Sequence, residues 1–149
     1  MSMAQDAGPG LGGLEQLRAL MAQGRNAGIG RTLDFRLVEI EDGRAVFEGT
    51  PGAEVYNPLG TVHGGYAAAL LDSACGCAVH AKLAPGQSFT TLELKVAYHR
   101  AMTARTGMVR AVGVVISFGR RAAFTEAKLT DAEGRLLASA TSSLLVITP

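Results

Sequence analysis

One carboxylate within a strongly apolar segment is the first feature of this sequence that could support catalysis. Asp72 lies in residues 66–83, the longest apolar run of the chain. Its neighbours on the same face of a helix are small apart from one valine: Gly65, Ala68, Ala69, Cys75, Gly76 and Val79. Small neighbours let a ligand approach, and a desolvated carboxylate there suits a general base or nucleophile. On pattern alone, a solvent-facing or capping role for Asp72 stays open.

The tripeptide His63-Gly64-Gly65 stands where this helix would begin. The free N–H groups of a first helical turn, with the helix dipole behind them, can stabilise an oxyanion that develops on a carbonyl. Glycine would let such a carbonyl come close to the backbone. The alternatives are that the glycines only form the turn, that His63 is structural, and that Asn57 is an ordinary turn residue.

Apolar periodicity predicts the elements that hold these residues. A helix is expected over 11–23 and a long helix over 64–83, with strands over 32–41, 44–50, 89–100, 107–117, 121–130 and 136–148. A slip of parity in the first strand predicts a bulge, and alternation in the third places Leu92, Leu94, Val96 and Tyr98 on one side. The second helix is apolar on nearly every face, so a curved antiparallel sheet wrapped around it gives an α+β fold.

Composition narrows the class of protein. The 149 residues are 48% hydrophobic, which suits one domain whose core is built from Val, Leu, Ile and Ala. A net charge of +1, with scattered basic residues, gives no basic footprint for nucleic acid. The glycine-rich start lacks the pattern of a secretory signal, and charged residues interrupt the longest apolar run. We expect a cytoplasmic protein that binds neither nucleic acid nor membranes.

The cysteines and histidines do not predict a metal site. Cys75 and Cys77, at positions i and i+2 of a helix, point to different faces and cannot form a disulfide with each other. His80 and His99 have no partner at the spacing of metal ligands. We therefore expect small buried cysteines and no metal.

Several of these motifs together resemble a known family. Asn57, His63-Gly64-Gly65 and Asp72 are followed by Thr-Thr-Leu-Glu-Leu-Lys-Val-Ala-Tyr at residues 90–98, then by Gly119-Arg120-Arg121 and by Asp-Ala-Glu-Gly at 131–134. Over residues 31–146 this pattern resembles the PaaI-type (phenylacetate-degradation) group of hotdog thioesterases. The resemblance implies a hotdog fold, a curved antiparallel sheet around one long central helix, over residues 1–149. Residues 1–30 would be an N-terminal extension with a short helix.

The resemblance also implies roles for individual residues. Asp72 would act as general base or nucleophile, and the Gly64 N–H would polarise the thioester carbonyl. Asn57 and His63 would hold the carbonyl or the water. Thr91 would position the attacking water, with Thr90 as the alternative.

Arginines are the candidates for binding coenzyme A. Where the family often reads Tyr-Leu-Arg-Pro, this chain has Tyr98-His99-Arg100-Ala101, which keeps Arg100 as a possible contact. Arg120 and Arg121 are adjacent at a predicted turn, and paired guanidinium groups suit phosphates. Solvated turn charges are the alternative for each of them.

The spacing of Gly64 and Asp72 predicts an oligomer. The two residues are eight positions apart on one predicted helix, which separates them by ~12 Å along its axis. One helix cannot present both groups to the same carbonyl, so a site that uses both requires two chains related by a two-fold axis. We expect a homodimer at minimum, and the resemblance favours a homotetramer.

The expected function is hydrolysis of a small aryl or medium-chain acyl-coenzyme A by carboxylate-assisted attack of water, without a cofactor other than the coenzyme A of the substrate. One alternative is a hotdog enoyl-coenzyme A hydratase or dehydratase, which the spacing of His63 and Asp72 disfavours. The other is a non-catalytic protein that binds acyl-coenzyme A as a sensor, which the full set of candidate polar groups disfavours.

Overall fold

The fold is a single antiparallel sheet and a set of helices. The computed structural model describes residues 2–8 and 10–149. Its helices are α1 Met3–Ala7, α2 Gly13–Ala22, α3 Gly28–Leu33 and α4 Gly64–His80, with single 3-10 turns at Ala53–Val55 and Ala104–Thr106. Its strands are β1 Phe35–Glu41, β2 Arg44–Gly49, β3 Ser88–Tyr98, β4 Val109–Phe118, β5 Ala122–Asp131 and β6 Leu136–Ile147. The strand order is β1-β2-β4-β5-β6-β3.

The helix α4 forms the centre of the core. Its buried residues are Tyr66, Ala67, Leu70, Leu71, Ala74, Cys75, Gly76, Ala78 and Val79. The β4 backbone lies directly against it at Gly113, where a Cβ atom would overlap the backbone of Ala74. Glycine is required for this approach, and it fixes α4 against the sheet. The predicted α+β hotdog fold, with one long central helix, is confirmed.

The strand β3 is one edge of the sheet and pairs only with β6 among the described strands. Its register shifts between Thr91 and Glu93, so Leu92 is an extra residue in a bulge. Leu92 is 62% exposed, whereas Leu94 and Val96 pack against the core. The prediction that Leu92 shares a side with Leu94 and Val96 is therefore wrong, because the bulge interrupts the alternation.

The N-terminal region differs from the prediction in its helices. The predicted first strand includes Thr32, but that residue belongs to α3, and β1 begins at Phe35. The Asn26 side chain donates a hydrogen bond to the Phe35 carbonyl at 2.7 Å, which closes the chain around this short helix. The bulge predicted in β1 is confirmed by a register shift between Leu37 and Glu39.

The cysteines have the character of small apolar residues. Both Cys75 and Cys77 are free thiols. Burial raises the pKa of Cys75 to about 11 and that of Cys77 to about 12, so neither is a ready nucleophile at neutral pH. The described residues contain no group of three or more potential metal ligands. None of the described helices is long and apolar enough to cross a membrane.

Candidate active site

The carboxylate of Asp72 points from α4 toward the edge strand β3. The Thr91 hydroxyl donates a hydrogen bond to its Oδ1 atom at 3.0 Å. Thr90, the alternative, is exposed on the neighbouring position of the strand, where side chains point to the opposite face. Thr91 is therefore the threonine that orients this carboxylate within the chain.

The surroundings of Asp72 leave it available for chemistry. Its Oδ2 atom makes no hydrogen bond within the described residues, and no described Lys or Arg forms an ion pair with it. Gly76, one turn further along α4, is buried under the ring of Phe89, which a Cβ atom at Gly76 would approach to 3.2 Å. Asp72 thus stands beside an apolar floor with one oxygen held and the other free to take a proton or attack a carbonyl.

His63 explains why two glycines open α4. Its Nδ1 atom accepts a hydrogen bond from the Gly65 N–H at 2.8 Å and so caps the helix. A Cβ atom at Gly65 would lie 2.9 Å from that Nδ1, so glycine is required for the cap. The Gly64 N–H has no acceptor within the described residues. The cap therefore leaves Gly64 as a free donor for an oxyanion, with the helix dipole behind it.

Tyr98 is a site residue that the sequence interpretation missed. Its hydroxyl donates a hydrogen bond to the Gly64 carbonyl at 2.6 Å and so fixes the first turn of α4 against the end of β3. A Cβ atom at Gly64 would lie 3.0 Å from the same hydroxyl oxygen, so the tyrosine also explains this glycine. The available signal was its place at the start of the Tyr98-His99-Arg100-Ala101 segment, which drew attention only to Arg100.

A small cavity of about 270 Å³ adjoins this turn. Its lining is Val62, Gly64, Tyr98, His99, Arg100, Ala101 and Met102. The structure thus brings Gly64 and Arg100, predicted separately, to one concavity. A carbonyl held at Gly64 would have a guanidinium nearby for an attached anionic group.

Asn57 shapes the loop before α4. Its Nδ2 atom donates to the Thr61 hydroxyl at 2.9 Å, and its Oδ1 atom accepts from the N–H groups of Leu59 at 2.9 Å and Thr61 at 3.3 Å. All these bonds lie within the loop that leads to His63. Direct contact between Asn57 and a substrate carbonyl stays a prediction.

The structure does not bring the three predicted arginines together within one chain. Arg120 and Arg121 are exposed at the turn between β4 and β5, and the Arg121 carbonyl accepts from the Val146 N–H at 2.9 Å. Val146 pairs with Phe89, at the start of β3, whereas Arg100 follows the other end of that strand. Eleven residues of strand separate the two ends by about 35 Å.

Comparison with known proteins identifies the family. The profile of the thioesterase superfamily matches residues 59–138, more than half of the chain and most of the site just described. A 1,4-dihydroxy-2-naphthoyl-CoA hydrolase from Listeria monocytogenes is 29% identical over 110 residues, which cover 74% of this chain and 88% of the relative.

Two solved structures of PaaI proteins are similar to this chain. A mutant of the phenylacetic acid degradation protein PaaI from Thermus thermophilus is 28% identical with a TM-score of 0.73, covering 80% of this chain and 98% of that one. The PaaI protein of E. coli, at 19% identity, shares the fold with a TM-score of 0.78 over 98% of this chain and 96% of its own. The chain belongs to the thioesterase superfamily and is a thioester hydrolase with the hotdog fold, similar to PaaI proteins.

Proposed function

We propose that this protein hydrolyses the thioester of a small aryl or medium-chain acyl-coenzyme A, in a site that two subunits share. The observation that carries the proposal is the separation of two prepared groups on α4. Asp72 is oriented by Thr91 at one point of the helix, and the free N–H of Gly64 lies eight residues earlier. Two antiparallel copies of the helix would present the carboxylate of one to the N–H of the other.

The edge strand β3 offers the contact that would produce this arrangement. Its outer row of backbone groups has no partner among the described strands, and an exposed row of this kind favours pairing with another chain. Because Leu92 is an extra residue in the bulge, the residue midway between Thr91 and Tyr98 in the strand is Lys95. Antiparallel pairing of β3 with its copy about a two-fold axis at Lys95 sets Thr91 opposite the partner's Tyr98.

This pairing would complete the site from two halves. Asp72, which Thr91 orients, then faces the partner's Gly64, which Tyr98 holds. The pairing also keeps the inner face of the strand opposite the inner face of its copy, since Leu94 meets the partner's Val96. Two equivalent sites per dimer follow from the two-fold axis.

The same axis would gather the candidate coenzyme A contacts. Phe89, beside the turn that carries Arg120 and Arg121, lies opposite the partner's Arg100. Three guanidinium groups that are far apart in one chain then stand near one end of a shared site. Such a cluster suits the phosphates of coenzyme A.

The chemistry requires only groups of this protein, water and the substrate. The substrate carbonyl oxygen accepts a hydrogen bond from the Gly64 N–H, which strengthens as negative charge develops on that oxygen. The free oxygen of Asp72 either removes a proton from water as it attacks the carbonyl, or attacks the carbonyl itself to form an anhydride that water then hydrolyses. The C–S bond breaks, and the products are a carboxylic acid and the free thiol of coenzyme A.

The relatives support this substrate class. The Listeria relative is named for an aryl acyl-coenzyme A, and the Thermus protein is named for phenylacetic acid degradation. We extend an aryl or medium-chain acyl-coenzyme A to this chain on that basis. We propose that no cofactor or metal takes part and expect a cytoplasmic location, where acyl-coenzyme A is made and used.

A homotetramer is the second part of the proposed assembly. Ile116 is 60% exposed and Phe124 is 50% exposed. They lie beside one another on β4 and β5, since Phe124 pairs with Ser117. Two large apolar side chains on the outer face of the sheet support a contact between two dimers.

Release of free thiol from a panel of aryl and straight-chain acyl-coenzyme A esters tests the proposed function. We expect Asp72→Asn to lower turnover by at least ~100-fold with little change in binding, because it removes the base or nucleophile. Glu126→Gln, which neutralises an exposed carboxylate on β5, is the matched control and should retain full activity. Near-normal activity of Asp72→Asn would remove Asp72 from the mechanism. Binding of the esters without thiol release by the wild type would instead indicate a sensor.

A further inference from the structure

A cavity of about 860 Å³ lies on the side of α4 away from the candidate active site. Its walls come from α2, α3 and the segment between them, from β1 and β2 with the residues next to them, and from Met3, Cys77 and Met108. Asp72 contacts β3, and the strands β4, β5 and β6 separate β3 from β2 in the sheet. The cavity therefore does not belong to the thioester site.

The inner wall of this cavity is apolar and adaptable. It contains Leu17, Leu20, Phe35, Leu37, Phe47, Met3, Met21 and Met108. Three of the five methionines of the chain are in this set. Methionine side chains are unbranched and flexible, so they adjust to an aliphatic chain better than to a rigid ligand. The volume lies within the range of small-molecule sites.

The rim of the cavity is cationic. Arg25, Arg31 and Arg36 line it, are exposed, and form no ion pair with a carboxylate of the described residues. Glu48 also lines the cavity, but its carboxylate already accepts from Arg110 at 2.8 Å. A ligand with a single anionic head would find guanidinium donors at the rim.

An unsatisfied donor lies just outside the lining at one end of the cavity. The Tyr66 hydroxyl is buried and has no hydrogen-bond partner within the described residues. It lies directly behind Gly49, which lines the cavity. Asp34, the remaining acid of the lining, is exposed and is the one described non-glycine residue with a positive φ, at 56°. This end of the cavity thus has an acidic side chain on a residue with left-handed backbone conformation and a buried hydroxyl close behind it.

We propose that this cavity binds an aliphatic carboxylate, with its alkyl tail among the methionines and leucines and its head at Arg31 and Arg36. The acyl tail of a bound thioester is neutral and would not call for guanidinium groups at the rim. An aliphatic acid matches both the apolar wall and the charge. Binding of this ligand is independent of thioester hydrolysis.

Calorimetric titration of the intact oligomer with decanoate tests the proposal, with decan-1-ol as the neutral probe of the same length. We expect decanoate to bind and the alcohol to bind at least ~10-fold more weakly, since it lacks the charge-assisted hydrogen bonds. The double variant Arg31→Gln, Arg36→Gln should lose at least ~10-fold in decanoate affinity for the same reason. Arg18→Gln, an exposed arginine on α2 outside the cavity lining, is the matched control and should bind as the wild type does.

Four outcomes would overturn the proposal: no binding of decanoate to the wild type, equal binding by the double variant, loss of binding in Asp72→Asn, or displacement by an acyl-coenzyme A analogue. Displacement of decanoate by a non-hydrolysable acyl-coenzyme A thioether would place the acid in the thioester site instead. Thiol release by the double variant, expected to be unchanged, separates a failure here from a failure of the proposed hydrolysis. Unchanged oligomer mass and circular dichroism confirm that each variant is folded.

Discussion

The two edges of the sheet differ in whether other parts of the chain pack against them. At the β1 edge, α2 and α3 pack against the strand, and Glu39 forms ion pairs with Arg110 at 2.6 Å and with Arg44 at 3.0 Å. Hydrogen bonds from Arg110 first, and then from Arg44, lower the pKa of Glu39. The β3 edge has no such cover within the described residues, and it carries Thr91 and Tyr98, which hold Asp72 and the first turn of α4. The helices thus lie against β1, whereas β3 keeps an uncovered edge, where a second copy of the chain would pair in the proposed dimer.

Mixing two inactive variants tests whether the β3 edge joins the halves of one site. One chain carries Asp72→Asn, and the other carries Gly64→Pro with Tyr98→Phe, since a Cβ atom at Gly64 would press on the Tyr98 hydroxyl. Random mixing makes about half of the dimers mixed, each with one intact site, so activity should rise from about one hundredth to about a quarter of the wild-type value.

The control for this experiment is Tyr98→Phe alone, which reports what loss of the hydroxyl costs by itself. Thiol release is measured before and after subunit exchange. If mass measurement shows that subunits have exchanged and activity does not recover, each site belongs to one chain. The uncovered β3 edge would then have no role in forming the site.

A cysteine at the proposed axis sharpens the same comparison. In Lys95→Cys the new thiol would face its own copy across the two-fold axis, so mild oxidation should give a disulfide-linked dimer that keeps its activity. Arg18→Cys, at an exposed position on α2 away from both proposed contacts, is the control and should remain monomeric on a non-reducing gel. Equal cross-linking of both variants would argue against an axis at Lys95.

The smallest expected effect on activity comes from the face of the sheet rather than from its edges. Phe124→Glu should halve the mass measured by light scattering, because a charge replaces an exposed apolar side chain in the proposed contact between dimers. Thiol release per subunit should stay close to the wild-type value. A dimeric mass for the wild type would contradict the proposed contact between dimers. A marked loss of activity in the variant would contradict the proposal that this face has no part in catalysis.

Local patterns were enough to predict the central helix and its carboxylate. The apolar run around Asp72 and the glycines at its start are local signals of α4, and both lie within the helix or at its first turn. The hydrogen bond from Tyr98 to Gly64 joins residues 34 positions apart. Patterns of neighbouring residues therefore could not predict it. The α3 helix was missed for a similar reason, since it depends on Asn26 holding the Phe35 carbonyl.

The bulge at Leu92 also explains why the choice of threonine was open at the level of sequence. A bulge changes which residues of a strand share a face, and alternation alone does not reveal where it occurs. Once Leu92 is extra, Thr91 and Leu94 face the same side, although their spacing suggests opposite sides.

This bulge reverses the alternation of faces for the part of the strand that precedes it. For every strand residue before Leu92, the side chain points to the face opposite the one that simple alternation counted back from Tyr98 would predict. Deletion of Leu92 would remove the bulge and still leave Thr91 two positions before Leu94, on the same face. If Leu92 instead stayed in the chain and paired without a bulge, Thr91 would turn outward and Thr90 would face the carboxylate. The identity of the hydroxyl that serves Asp72 is therefore set by the bulge itself, and loss of the bulge at unchanged strand length would exchange Thr91 for Thr90.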